Sequence, residues 1–176
     1  TGKEAGLFNS SLPLMDKRVT SETTIHHLCF NTDDYGKLGN LIKWNPSVKY
    51  KSDNQQLLEA LINNQIDIVA TDHAPHPAEA KECEWSAASF GMLGLETAAS
   101  IAQLVLIDSG ASNWQRFTEV MSVNPASISR LESQGQTLEV GKVANIAVID
   151  PSTTRVISGG GASKSSNQPF EGIELP

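Results

Sequence analysis

Residues 66–76, IDIVATDHAPH, run from an apolar segment straight into a cluster of ionisable groups, and this junction narrows what the chain can be more than any other stretch. Ile66, Ile68, Val69 and Ala70 form a short apolar run without helical spacing, the pattern of a strand covered on both faces in a parallel α/β sheet. Asp72, His73 and His76 follow at its carboxyl end. Barrels and open α/β sheets collect catalytic side chains there, because the scaffold is rigid and the next loop can reach a ligand. Pro75 and Pro77 cannot continue a ladder and stiffen the exit. A single Asp after a strand is ordinarily a turn former, and a single His ordinarily a satisfied structural group. A carboxylate and two imidazoles on one strand end are what metal or acid–base chemistry requires.

The elements before this junction read in βα order. Residues 18–30, RVTSETTIHHLCF, are rich in β-branched side chains and alternate at Val19, Ser21 and Thr23, so a strand is expected, closed by His26 and His27. Adjacent strand residues face opposite ways, so at most one of these histidines can share a site with Asp72, as a ligand or as a structural group; the other is structural. A loop with Asp33, Asp34, Gly36 and Gly39 leads to IKWNP, where Pro46 holds Asn45 extended and able to aim its amide at a ligand. The SDNQ of residues 52–55 reads as a capping box, and Leu57, Leu58, Leu61 and Ile62 then form one apolar stripe of a helix that feeds the strand at Ile66. A helix between strands of one sheet predicts a parallel α/β architecture.

Downstream, residues 77–89 form a polar loop placed to act as a lid. Phe90-Gly91 and Gly94 follow, where the backbone can approach a ligand closely. An apolar helix is expected over residues 95–108, ended by Gly110. A second capping box at residues 112–115 opens a helix with Trp114, Phe117, Val120 and Met121 as core, and Asn124-Pro125 caps the next. From Gly135 onward apolar residues between Leu138 and Ile149 are interleaved with glycines, which predicts short strands of a separate layer, with Gly159 to Gly161 before a polar tail. The first 17 residues carry little pattern beyond a short helix and a loop; TGKEAG without an initiator Met reads as the end of a strand running into a helix, as in a fragment.

At 176 residues the chain can build one sizeable core, or part of a larger one. Its apolar fraction of 39% and charged fraction of 19% are those of a folding chain. A net charge of -7 without a basic run argues against nucleic acid and anionic membrane as partners. Cys29 and Cys83 fit neither a disulfide framework nor a metal knuckle, which points to a reducing, cytoplasmic compartment. The most apolar segment, residues 101–107, is too short to span a bilayer.

Taken together these stretches resemble the carboxyl-terminal portion of the dihydroorotases, members of the amidohydrolase superfamily. IDIVATDHAPH is similar to the signature of the last barrel strand, ETTIHHL to an HHL stretch, IKWNP to an NP motif, FGMLGLET to a glycine-containing loop, and LEVGKVANIAVIDP with SKSSNQPFEG to the closing β segment. The resemblance implies an α/β fold made of the carboxyl-terminal part of a (β/α)8 TIM-type barrel over residues 1–134, plus part of a small β-sandwich over residues 135–176. It implies reversible hydrolysis of the cyclic amide of dihydroorotate to N-carbamoyl-aspartate, in pyrimidine biosynthesis, at a binuclear zinc centre. On matching positions, Asp72 is a metal ligand and the catalytic residue that carries a proton from the attacking water to the departing amide nitrogen. His76 helps hold the substrate carboxylate, and Asn45 with the backbone of Phe90 and Gly91 contacts the pyrimidine ring.

Two departures qualify the resemblance. The other metal ligands of the family are expected upstream of Thr1, so the chain is expected to need a missing amino-terminal half of the same barrel, and alone to hold zinc weakly, to be inactive, and to be poorly soluble or a homo-oligomer. The NP motif usually continues to an arginine, whereas Ser47, Val48 and Lys49 follow here. Two other readings compete: a hydantoinase-like or allantoinase-like hydrolase, which His76 disfavours, and an inactive subunit that scaffolds a partner such as aspartate transcarbamoylase, which has no chemical need for Asp72 and His76.

Overall fold

The computed structural model describes residues 1–8, 10–159 and 161–176. In chain order the α-helices are α1 (Gly2–Ala5), α2 (Ile25–Cys29), α3 (Tyr35–Leu38), α4 (Lys51–Ile62), α5 (Ala98–Gln103), α6 (Trp114–Thr118) and α7 (Asn124–Ile128). The strands are β1 (Glu22–Thr24), β2 (Ile68–Ala70), β3 (Arg155–Val156) and β4 (Glu174–Leu175). β1 and β2 pair in parallel, with Thr23 opposite Val69, and the chain between them crosses through α2, α3 and α4. A parallel pair with a helical crossover is the repeating unit of a (β/α)8 barrel, and it puts both carboxyl ends on one side.

Sheet pairing is tied at the opposite end by Asp67. Its carboxylate is buried, forms an ion pair with Lys17 and accepts from the Ser21 backbone N–H at 2.9 Å, while the Asp67 carbonyl accepts from Asn124 Nδ2 at 2.8 Å. Arg116 adds a second tie: its guanidinium donates to the carbonyls of Leu61 and Ile66, joining α6 to the end of α4 and the approach to β2. Ile25, Leu28, Ile42, Trp44, Leu61, Val69, Ile101, Leu106 and Val120 fill the core between the strand pair and its helices.

Several sequence expectations need correction. Only Glu22–Thr24 of residues 18–30 is strand; His26 and His27 do not close it but lie on α2, so both are on one helical turn, with ring centroids 4.7 Å apart. β-propensity did not prevail where no partner strand is in register. The loop from Asp33 to Gly39 is instead a series of helical turns. Neither expected capping box forms: α4 begins at Lys51 with no side-chain cap, and α6 is capped by Asn113, whose side chain accepts from the Arg116 N–H at 3.0 Å. The helix over residues 95–108 starts as a 3-10 turn and ends in a π-helical turn, Leu104–Asp108, before Gly110 at φ +73°. Phe117 and Val120 are core as expected, whereas Trp114 is over a third exposed. Asn124-Pro125 continues a helix already under way instead of starting one.

No strand forms over residues 138–149; Val140 and Val148 project fully into solvent. Alternating apolar residues make a strand only against a second backbone, and among the described residues none pairs with them. The β structure of the carboxyl-terminal part is confined to the antiparallel pair β3 and β4. Of the expected glycine separator, Gly160 lies outside the described residues. The segment after it is not a solvated polar tail: Asn167, Gln168, Pro169 and Phe170 are all buried, and Phe170 stacks on Phe30 with centroids 4.8 Å apart.

Candidate active site

Asp72 emerges directly beyond β2, exposed, with φ +44°. A left-handed backbone at a non-glycine residue costs of order 1 kcal/mol, which an Asp tolerates better than most side chains, and it swings the carboxylate out of the ladder direction. Among the described residues no hydrogen bond reaches this carboxylate. The ionisable partner it acts on is His27, whose protonated form its charge favours. His27 Nε2 lies 2.9 Å from the Pro46 carbonyl and Nδ1 2.6 Å from the Thr24 hydroxyl. A carbonyl only accepts, so Nε2 carries the proton and Nδ1 accepts from Thr24. Burial, outweighing the Pro46 bond and Asp72, holds this imidazole below its ordinary pKa, and with both nitrogens hydrogen-bonded it has no lone pair free for a metal.

The structure thus decides between the two histidines of α2. His26 is fully buried at 4.4 Å from the Trp44 ring, with neither ring nitrogen hydrogen-bonded among the described residues, and burial pushes its pKa down to about 3. It is a core residue, and His27 is the one that shares the strand-end region with Asp72. The three ionisable groups of the TDHAPH loop also divide. His73 continues the sheet through a bridge to Met92, and its Nδ1 accepts from the backbone N–H groups of Gly94 and Leu95 at 3.2 and 3.3 Å. It is structural. His76 turns across the loop and donates from Nε2 to the Phe90 carbonyl at 2.8 Å, so it meets the Phe90-Gly91 segment directly.

Gly91 has φ +129°, and an added Cβ would sit 2.4 Å from the Ala74 Cβ and 3.3 Å from His76 Nε2. No other residue fits between the two loops. Its N–H donates to the Lys43 carbonyl at 2.9 Å, and its carbonyl accepts from Lys81 Nζ at 2.9 Å and Asn167 Nδ2 at 3.3 Å. Asn45 is exposed beside Pro46, across a cis peptide bond, with its amide unengaged among the described residues.

Three residues that sequence reasoning passed over hold this region in shape. Lys43 is buried, caps the carbonyls of Trp85 and Ala88, and lies 4.6 Å from the Phe90 ring centroid. Lys81, also buried, donates to Ser89 and Gly91; burial first and the neighbouring Lys43 charge second bring its pKa down to about 8. Asn167 spans from the other end of the chain. The loop over residues 77–89 is consequently clamped by two ammonium groups from beneath, a different arrangement from the free lid expected. A lysine amid a polar run gives no sequence signal for such a role.

Asp72 provides a carboxylate, a donor type zinc takes, but both His27 nitrogens are hydrogen-bonded, and among the described residues no three His, Cys, Asp or Glu side chains converge. The residues present do not close a zinc site; further donors must come from elsewhere.

A crossover-linked parallel strand pair with an Asp beyond one strand and a glycine-tight loop facing it is the architecture of one part of a (β/α)8 barrel. The fold of the chain matches an L-hydantoinase from Arthrobacter aurescens with a TM-score of 0.85 at 27% identity, covering 99% of this chain and 39% of that one. It also matches the fold of a dihydroorotase from Saccharomyces cerevisiae, at TM-score 0.76 and 18% identity, over 99% of this chain and 48% of that one. In sequence the chain is similar to dihydroorotases: it is 43% identical over 159 residues to those of Streptomyces coelicolor and Mycobacterium tuberculosis. The match takes in 90% of this chain and 37% of each relative, so the chain spans little more than a third of the relatives' length. No family-level sequence profile matches it.

Proposed function

We propose that the complete protein containing these residues is a zinc-dependent dihydroorotase, which reversibly hydrolyses the cyclic amide of dihydroorotate to N-carbamoyl-aspartate in pyrimidine biosynthesis. The observation that carries this reading is the placement of an unengaged Asp72 carboxylate at the end of β2, with the neutral imidazole of His27 beside it and His76 held against Phe90 in the facing loop. Zinc, if bound by Asp72 with donors from outside these residues, would supply Lewis acidity and a lowered water pKa. Asp72 is the base within reach: it takes the proton of the attacking water as the C–N bond of the ring is broken and returns it to the departing nitrogen. Asn45 and the Phe90-Gly91 backbone orient the ring, and His76, exchanging the Phe90 carbonyl for substrate as the acceptor of its Nε2–H, meets the carboxylate of the substrate.

Asp72→Asn tests this in the complete enzyme. The amide cannot take the water proton and is a poorer ligand, so turnover should fall by at least about 100- to 10,000-fold with melting temperature little changed. Near-normal hydrolysis of dihydroorotate by this variant would sink the assignment.

A further inference from the structure

From its contacts we infer that Asn167 is a positioning residue that fixes the two substrate-facing loops relative to one another; this rests on the site assignment proposed above. Its side chain, 2% exposed, has one acceptor and two donor hydrogens, and all three are used between those loops. Oδ1 accepts from the His76 backbone N–H at 3.1 Å, and Nδ2 donates to the Ala74 carbonyl at 2.9 Å and the Gly91 carbonyl at 3.3 Å. The Asn167 carbonyl also accepts from the Leu93 N–H at 3.0 Å. No other described side chain bonds to both the 74–76 and the 91–93 backbone. The segment that brings Asn167 there is itself anchored, with Pro169 fully buried and Phe170 stacked on Phe30. His76 reaches Phe90 beside this amide, which adds to the direct tie of the Ala74 N–H on the Met92 carbonyl at 2.9 Å in setting the spacing of the carboxylate-binding and ring-binding groups.

An amide is specifically needed. Asn167→Asp has the same size but loses both donors and sets a carboxylate against two carbonyl oxygens. In the complete enzyme, Asn167→Asp should raise KM for dihydroorotate at least tenfold, lower kcat by less, and speed amide hydrogen exchange at Ala74, His76 and residues 90–93 while exchange in α4 stays as in the parent. Gln168→Ala is the companion variant: Gln168 is equally buried, but its hydrogen bonds stay within its own segment, and it should cost stability without the KM change. Equal KM effects in the two variants, or unchanged exchange in both loops, would overturn the positioning role. If Asn167→Asp does not fold, Asn167→Ser, which keeps one donor, replaces it under the same criteria. Exchange is read without substrate, so loop loosening in an enzyme that fails to hydrolyse dihydroorotate would keep the clamp and refute only the assigned reaction.

Discussion

Protonating His26 would place a charge in a space lined by Trp44 and His27 with nothing to accept its hydrogens. Its folded-state pKa of about 3 lies below the ordinary 6.5, so between those values the unfolded chain binds the proton and the folded chain does not. The resulting stability is fully present above about pH 6.5 and is lost as pH falls toward 3, at up to roughly 1.4 kcal/mol per pH unit. His26→Leu should flatten the dependence of urea midpoint on pH across that window; an unchanged slope would show that other groups govern the acid limb. His76 carries a different expectation. If it meets the substrate carboxylate, His76→Ala should reduce kcat/KM for dihydroorotate by far more than for an uncharged hydantoin, and equal losses would reassign it to holding Phe90 alone.

Among the elements, α6 and β2 depend on one side chain. Arg116 is 8% exposed and gives three hydrogen bonds to Leu61 and Ile66 carbonyls, so Arg116→Met leaves buried acceptors unpaired and should cost about 2–4 kcal/mol in denaturant unfolding of the complete protein. Arg116→Lys should recover only part of that, since a point charge cannot fork between two carbonyls. What could be read from sequence follows the same division between local and distant. The apolar run ending at Asp72, the parallel crossover and the stripe of α4 are set by neighbouring residues, and they were legible. The start of α4 was not: Asp53 is drawn to the Gly2 N–H and Asn54 to the carbonyls of His27 and Phe30, contacts made far along the chain that outbid a cap. The choice between His26 and His27 stayed open, and Lys43, Lys81 and Asn167 escaped, for that reason. Each takes its meaning from a residue at least 19 positions away, or from a carbonyl whose direction no side-chain pattern encodes.

At the scale of the molecule, apolar surface is left open. Leu138, Val140 and Val148 are 85% exposed or more, and the two-stranded sheet of β1 and β2 has free edges. Such features drive association. Residues 1–176 expressed alone should sediment as oligomers or precipitate, and should bind zinc weakly because Asp72 alone leaves a tetrahedral set unfilled. Mixing with the remainder of the polypeptide should restore solubility and hydrolysis together; a stable monomer with tight stoichiometric zinc would contradict both expectations. The reach of Asn167 also sets an order of events during synthesis. His76 leaves the ribosome 91 residues before the amide that will hold it, an interval of roughly 5–20 s at common elongation rates. Through that interval the nascent chain carries the 74–76 loop without the amide that ties it to Gly91.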